Sequence, residues 1–592
     1  MYPPTFQSVQ CLRLLVALPL FALVEASAIR EEWIHEHASP SSSSIPDYFQ
    51  TEPGPFAGPS KTGSAPFLAQ TNVAGFDMPT YVPNTPLQTA MPIAGQPNGS
   101  KDGDSIFRHM GNLSPYFPCP SGFGVDEYPL PPGANITQVH ILQRHGSRHP
   151  AYTSDERNWA EKIMGNSSQF TGNISFLRNW SYDLGSDILT ANGRLELFES
   201  GVLHYFNYGK LYESTKKKDM KLVARTTTQN RMLDSAQHFL SGFFGLNWAD
   251  KVDLEVIIEQ DGFNNSLSGS KNCPNAHNET LLPGYAAREE WRKRYLANAT
   301  ARFNSWSGNF SWTEDDVVHA QRMCIYETIA LGSSVFCQLF TWDEWLGYDY
   351  DTDVTYAGNN LFASPTGRAV GVGYVAEFIA RIEGHLVDVD PGSTQVNMTL
   401  DTDTVTFPTD QSVYIDFSHD TNMVSVLAAF GLRQFAQQLP TTGPPKEQEV
   451  IVSHMVPFAA RLAIEIITTP GPVKDRRSVS GDSASAYEGI TERKEMKYVH
   501  LVLNQRTVPL GKSFRECGER DDGWCELETF MKIQKEGIGR ADYEHSCFGE
   551  FEAPGYGEVT DGVMGRSAMA AVGDESQGQG GEKGQIPLGM NS

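Results

Sequence analysis

Two short charged clusters carry the chemistry open to this sequence. The first is Arg144-His145-Gly146-Ser147-Arg148-His149-Pro150 and the second, far along the chain, is Ser418-His419-Asp420. Two guanidiniums flanking an imidazole suit an anion with several oxygens, because the planar guanidinium fork makes paired hydrogen bonds with phosphate. Gly146 allows the backbone a tight approach to a ligand. Arg225 and Arg231, six residues apart, supply further cations. His145, His149 and His419 with Asp420 could instead take a metal ion, but three nearby guanidiniums would repel a cation. No metal and no other cofactor is therefore expected. His419 taken alone would be a structural histidine, and its position beside Asp420 at the end of a β-prone run is what makes it a candidate.

Clusters so distant in sequence have to be brought together by the fold. Thr137-Gln138-Val139-His140-Ile141-Leu142 is β-prone and runs directly into Gln143-Arg144-His145. Val413-Tyr414-Ile415-Asp416-Phe417 runs into Ser418-His419-Asp420 in the same way, and Lys221-Leu222-Val223-Ala224 into Arg225. Open α/β sheets bind ligands at the carboxyl ends of their strands, so all three deliveries are expected at one site. Helical patterns lie between them, over Asn230 to Phe244, Ala286 to Ala297 and Gly371 to Ile382. The class is α/β with a helical insertion. Leu462 to Ile467 and Tyr498 to Leu503 read as two more strands joined by a polar surface loop over 471–495.

The first cluster resembles the signature of the histidine acid phosphatase family, and especially its fungal phytase branch. Ser418-His419-Asp420 is similar to the family's second motif, and Arg225 with Arg231 to its middle arginine segment. Cys337-Gln338-Leu339-Phe340-Thr341-Trp342-Asp343-Glu344-Trp345 with Tyr348-Asp349-Tyr350, Gly371-Val372-Gly373-Tyr374, Val456-Pro457-Phe458-Ala459-x-Arg461 and Val508-Pro509-Leu510 resemble stretches of fungal phytases. The resemblance implies a central, mostly parallel sheet flanked by helices, with a smaller helical domain inserted over the pocket. It implies that His145 is the nucleophile, that Arg144, Arg148, Arg225 and His419 bind the phosphate, and that Asp420 is the proton donor. Arg231 and Arg461 are read as structural salt bridges and Asp343-Glu344 as a buried structural pair. Bridges Cys324–Cys337, Cys517–Cys525 and Cys273–Cys547 follow from the same resemblance, leaving Cys119 as the odd thiol.

The ends and the composition bound the rest. Arg13, the apolar run Leu14 to Val24 and the small residues Ala26-Ser27-Ala28 form a signal-peptide pattern. That run is about half the roughly 20 residues a membrane span needs. Eleven Asn-x-Ser/Thr sequons, at Asn98, Asn112, Asn135, Asn166, Asn173, Asn179, Asn264, Asn278, Asn298, Asn309 and Asn397, suit an exported glycoprotein. A net charge of −25 argues against nucleic acid and anionic membrane as partners. The expected organisation is a signal peptide over 1–28, a Ser/Pro/Gly-rich leader over 29–103, a catalytic α/β domain from 104–165, 220–265 and 341–553, a helical cap from 166–219 and 266–340, and a disordered tail over 554–592. No lysine follows the Tyr348-Asp349-Tyr350 segment in Asp351 to Tyr356. Fewer cations weaken selection for a highly anionic inositol polyphosphate. The expectation is a secreted acid phosphatase of broad range that extends to phytate. Its alternatives are a dedicated phytase and a catalytically silent secreted glycoprotein that keeps the fold.

Overall fold

The computed structural model describes residues 104–565, except 218, 219, 391 and 474–493. The expected signal peptide, leader and most of the 471–495 loop lie outside the described residues. Eight strands form one sheet: β1 (Asn135–Arg144), β2 (Leu222–Thr227), β3 (Val252–Ile257), β4 (Val413–Ser418), β5 (Arg461–Thr469), β6 (Met496–Leu503), β7 (Arg506–Val508) and β8 (Cys525–Glu526). Their order is β3-β2-β4-β1-β5-β6-β7, with β8 beside β6. The half that carries the charged clusters, β3-β2-β4-β1, is parallel, and β5 to β8 continue it antiparallel.

The strands are apolar on both faces because helices cover both. On one face Val139, Ile141, Ile415 and Phe417 pack against Leu197 of α2 (Ala191–Thr215) and Phe239 and Phe243 of α3 (Asn230–Phe244). Alternate residues of β1 and β5, Leu142, Ile464 and Ile466, join the opposite core. The helix α1 (Glu156–Gly165) precedes these, and α4 (Pro283–Tyr295), α5 (Ala297–Ser305), α6 (Glu314–Leu331) and α7 (Trp342–Asn359) come between β3 and β4. They are followed by α8 (Gly367–Glu383), with α9 (Asp420–Ala429) after β4. Tyr374 and Phe378 of α8 and Val424 and Leu427 of α9 fill that opposite core.

Trp159, Phe303, Ile325 and Trp345 belong to a third cluster, built from α1, α5, α6 and α7. Two expected boundaries shift as a result. The helix α2 falls in the 166–219 segment assigned to the cap, yet its apolar side covers the sheet. Conversely α1, placed in the catalytic part, packs with the inserted helices. Part of the expected tail is also ordered: Arg368 donates to the Asp561 carboxylate at 2.7 Å, and the Gly562 N–H donates to the Phe362 carbonyl at 2.8 Å. A polar, Gly-rich composition misses this because the partner, on α8, is distant in sequence.

Disulfides join Cys273 to Cys547, Cys324 to Cys337 and Cys517 to Cys525, and Cys119 is a buried free thiol. Among the described residues no helix is long and apolar enough to cross a membrane.

Candidate active site

Parallel pairing of β1 and β4 puts Arg144 opposite Ser418, so His145 and His419 leave adjacent strands side by side. The His145 N–H donates to the Ser418 carbonyl at 3.3 Å, and the two imidazole rings meet edge to face with centroids 5.6 Å apart. Asp420 follows at the start of α9. Its Oδ2 accepts from Arg144 Nη2 at 2.5 Å and from Asn112 Nδ2 at 2.8 Å.

His145 is 1% exposed. Its Nδ1 lies 2.9 Å from the Gly146 carbonyl, which can only accept, so Nδ1 carries the proton and Nε2 keeps its lone pair. Burial, joined by the charges of Arg144, Arg231 and Arg148, holds the imidazole well below its usual basicity. A neutral, correctly tautomeric imidazole is a nucleophile. Burial opposes ionisation of Asp420, yet the Arg144 guanidinium, the Asn112 amide and the Arg148 guanidinium outweigh it and hold the carboxyl well below the usual range.

The loop of the first cluster is clamped by α2. A Cβ on Gly146 would lie 2.3 Å from the Gly193 carbonyl oxygen, and one on Gly193 would lie 2.0 Å from the Ser147 carbonyl oxygen. The close approach that demands Gly146 is therefore to helix α2. Glu196, one turn along, accepts from the Ser147 N–H at 2.7 Å, the Ser147 hydroxyl at 2.9 Å and the Tyr116 N–H at 3.1 Å.

Arg225 is not at the site. The strand continues past it to Thr227, so Arg225 sits within β2, in register with Asp416 of β4. Its guanidinium is 1% exposed and bonded to Asp416 at 2.7 Å, Glu377 at 2.6 Å and Asp401 at 3.5 Å. Three carboxylates leave it nothing to offer a phosphate. Arg231, in the first turn of α3, makes the salt bridge expected of it, to Asp187 at 3.0 Å, and also acts electrostatically on His145. The run Thr226-Thr227-Thr228 was the signal, since it prolongs the β-prone stretch beyond Arg225.

The Nε atoms of Arg144, Arg148 and Arg231 are buried and have no hydrogen-bond acceptor among the described residues. Each such donor costs about 1–3 kcal/mol unless something accepts from it, and three around one imidazole make an anion site. His149 is turned away, its Nδ1 accepting from the Gly185 N–H at 3.0 Å.

Other sequence readings fare unevenly. Arg461 has its guanidinium 3.5 Å from the centroid of the Tyr116 ring in place of the expected salt bridge. Only Glu344 of the Asp343-Glu344 pair is buried: it caps α7 through Thr341 and binds Arg302 at 2.7 Å, while Asp343 is exposed. Asn112, counted among the sequons, lines the pocket.

The pocket has a volume of about 390 Å³ and runs from Asn112, Arg148 and Thr421 outward beneath the inserted helices. Its far wall bears Arg288 and Arg292 of α4 and Arg322 of α6. Arg292 is paired with Asp351 at 2.9 Å and Arg322 with Glu156 at 3.2 Å. Arg288 has no carboxylate within ion-pair distance among the described residues, and burial with two arginine neighbours lowers its pKa. Counting lysines around the motifs missed this wall, since its arginines come from the insertion.

The family model of the histidine phosphatase superfamily (branch 2) matches residues 135–504. Phytase A of Aspergillus oryzae is 30% identical over 445 residues, covering 71% of this chain and 86% of that protein. Phytase A of Aspergillus terreus is 32% identical over 448 residues, with the same shares covered. Among solved structures, the phytase from D. castellii superposes with a TM-score of 0.58 at 21% identity, covering 80% of this chain and 98% of that one.

Proposed function

The chain belongs to branch 2 of the histidine phosphatase superfamily and is a phosphoric monoester hydrolase, and on that footing we propose that it works through a phosphohistidine formed on His145. Nε2 of His145 attacks phosphorus as the ester P–O bond breaks, and Asp420 gives its proton to the departing alkoxide. Water then attacks phosphorus as the P–N bond to His145 breaks, Asp420 takes a proton from that water, and inorganic phosphate leaves with His145 restored. Dividing the displacement into two steps lowers each barrier. Arg144, Arg148, Arg231 and His419 hold the equatorial oxygens, where preorganised donors stabilise charge in the transition state.

The observation that carries this reading is the trio of unanswered guanidinium Nε–H groups around a neutral His145. For Asp420 to act as an acid its proton affinity must rise. A phosphate that engages Arg144 and Arg148 supplies negative charge and removes their attraction, which acts in that direction. The silent-glycoprotein alternative loses its basis, because nucleophile, acid and cationic donors are all present.

A second reading, selection for inositol polyphosphates such as phytate, is favoured by one observation: Arg288, with Arg292 and Arg322 beside it, offers cationic contacts to phosphates remote from His145. Export as a glycoprotein belongs to the same proposal, supported by the N-terminal pattern, the sequons and three disulfides. Asn112 is excepted, because its Nδ2, the atom a glycan would occupy, is bonded to Asp420.

The test is phosphate release at about pH 3 to 6, where carboxyls titrate, from para-nitrophenyl phosphate and from phytate, with EDTA present. Activity that survives EDTA and is lost in His145→Ala is expected. Activity retained in His145→Ala would overturn the mechanism, and the ratio between the two substrates decides between a broad phosphatase and a phytase.

A further inference from the structure

One buried carboxylate stands inside this anion site, where it should repel a phosphate. Glu259 lies just past β3, and its side chain is 2% exposed. Its Oε2 accepts from His419 Nε2 at 2.9 Å and from the Thr227 hydroxyl at 2.5 Å, and its Oε1 accepts from Gln229 Nε2. Burial opposes its ionisation, but His419, Thr227 and Arg231 together bring its pKa down to about 2, so it is a carboxylate at any working pH. A carboxylate can only accept, which makes Nε2 the proton-bearing nitrogen of His419. Nδ1 is then the nitrogen left for a ligand; it has no partner among the described residues, and to donate to a phosphate oxygen it must carry a proton as well.

Among the described residues no other hydrogen bond holds that ring. His419 precedes α9 without capping it, and its other aromatic neighbour, His145, meets it edge to face. Thr227, at the end of β2, and Gln229, just before α3, fix Glu259 in turn, so the carboxylate ties β2 and β3 to the end of β4. We propose that Glu259 is a positioning residue that locks the orientation of His419 by accepting from its Nε2–H, so that Nδ1, when it carries a proton too, is the donor turned to the phosphate. The inference rests on the reading of His419 as a phosphate ligand. Arg231, whose charge Glu259 partly balances, limits the repulsion the carboxylate exerts on substrate. The logic is that of an acid orienting a catalytic imidazole, applied here to a ligand-holding one.

A double-mutant cycle reads this directly. Glu259→Gln keeps an acceptor but loses the charge, and Glu259→Leu loses both. We expect kcat/KM on para-nitrophenyl phosphate to fall about tenfold in the first and about a hundredfold in the second. In a His419→Asn background the same two changes should cost less than about threefold. Full, additive losses in that background would overturn the proposal, as would unchanged or higher activity in the single variants. Should the variants fail to fold, the wild-type enzyme decides the matter: nitrogen NMR of labelled histidine, with the His419 signals assigned by their loss in His419→Asn, should show a protonated Nε2. An unprotonated Nε2 overturns the proposal. This second readout needs no turnover, so a protein that hydrolyses nothing yet shows the expected His419 signal would count against the reading of the site and not against the Glu259–His419 pair.

Discussion

In the proposed mechanism Asp420 separates two contributions to the barrier, because only poor leaving groups need its proton. Asp420→Asn should lower kcat on phytate, whose leaving group is an alkoxide, by roughly 100-fold or more, in line with the usual worth of a general acid. On para-nitrophenyl phosphate, which expels a stable phenolate, the loss should be several-fold smaller, and equal losses on both substrates would remove Asp420 from the acid role. The two arginines of the middle segment divide in the same testable way. Arg231→Ala should reduce kcat/KM by roughly 100-fold with little change in melting temperature, as loss of a transition-state donor does. Arg225→Met leaves Glu377 and Asp401 buried without that cation and Asp416 with Arg381 alone, and should cost about 3–5 kcal/mol of stability, seen by calorimetry or denaturant titration. His145, Arg144, His419 and Asp420 were legible because each ends or follows a strand whose pattern is unmistakable. Arg225 was misplaced because a strand's last residue cannot be fixed from propensity to better than a few positions, and two residues decide whether an arginine faces the pocket or the core. Asn112 and Glu259 carry no local signal; only their contacts with Asp420 and His419 reveal them.

The elements that aim these residues act through their backbones. The helix α2 touches the phosphate loop at two glycines and one carboxylate, so its distance from β1 is set by Gly146, Gly193 and Glu196 together. Gly193→Ala would force a methyl group to within 2.0 Å of the Ser147 carbonyl oxygen. The loop must then shift by a sizeable fraction of an ångström, and misplacement on that scale costs roughly 100-fold in rate. The expected outcome is a folded protein, by circular dichroism, with kcat reduced by about that factor; a variant with full activity would show that the loop is not held by α2. The same contact explains what the sequence conveys about elements. The strands were readable because two covering layers make them continuous apolar runs, and α3 and α8 because they start and stop near clear signals. The assignment of α2 to the cap failed because covering a sheet and building a cap both require an amphipathic helix. Which surface its apolar side meets is decided by long-range packing.

At the scale of the whole molecule, the sheet buries more negative than positive charge behind the site. Asp416, Glu377, Asp401 and Glu255 surround Arg225 and Arg381, and both oxygens of Glu255, opposite Arg225 on β3, lack a hydrogen-bond partner among the described residues. Burial, reinforced by Glu377 and Asp416 against the pull of Arg225, raises the Glu255 carboxyl to about 7, and burial beside Glu377 likewise raises Asp401. A carboxyl whose folded pKa lies above its unfolded value keeps a proton that the unfolded chain has released. Its stabilising contribution is complete below the unfolded value, about 4.5 for Glu, and is lost as pH climbs through about 7. Buried His204, held neutral to about 3, acts in the opposite direction below the usual histidine range, so it offsets part of that loss up to about pH 6.5. Glu255 therefore contributes a fall in stability between about pH 4.5 and 7, and in Glu255→Gln the melting temperature should fall less, or rise more, across that window than in the wild type, with the pH dependence below about 4 left as it was. An unchanged slope in Glu255→Gln would place that pH-dependent loss in Asp401 or elsewhere. The expected slope has a functional corollary, since it favours the fold on the acidic side of neutrality, where protonated Asp420 is most readily regenerated between turnovers.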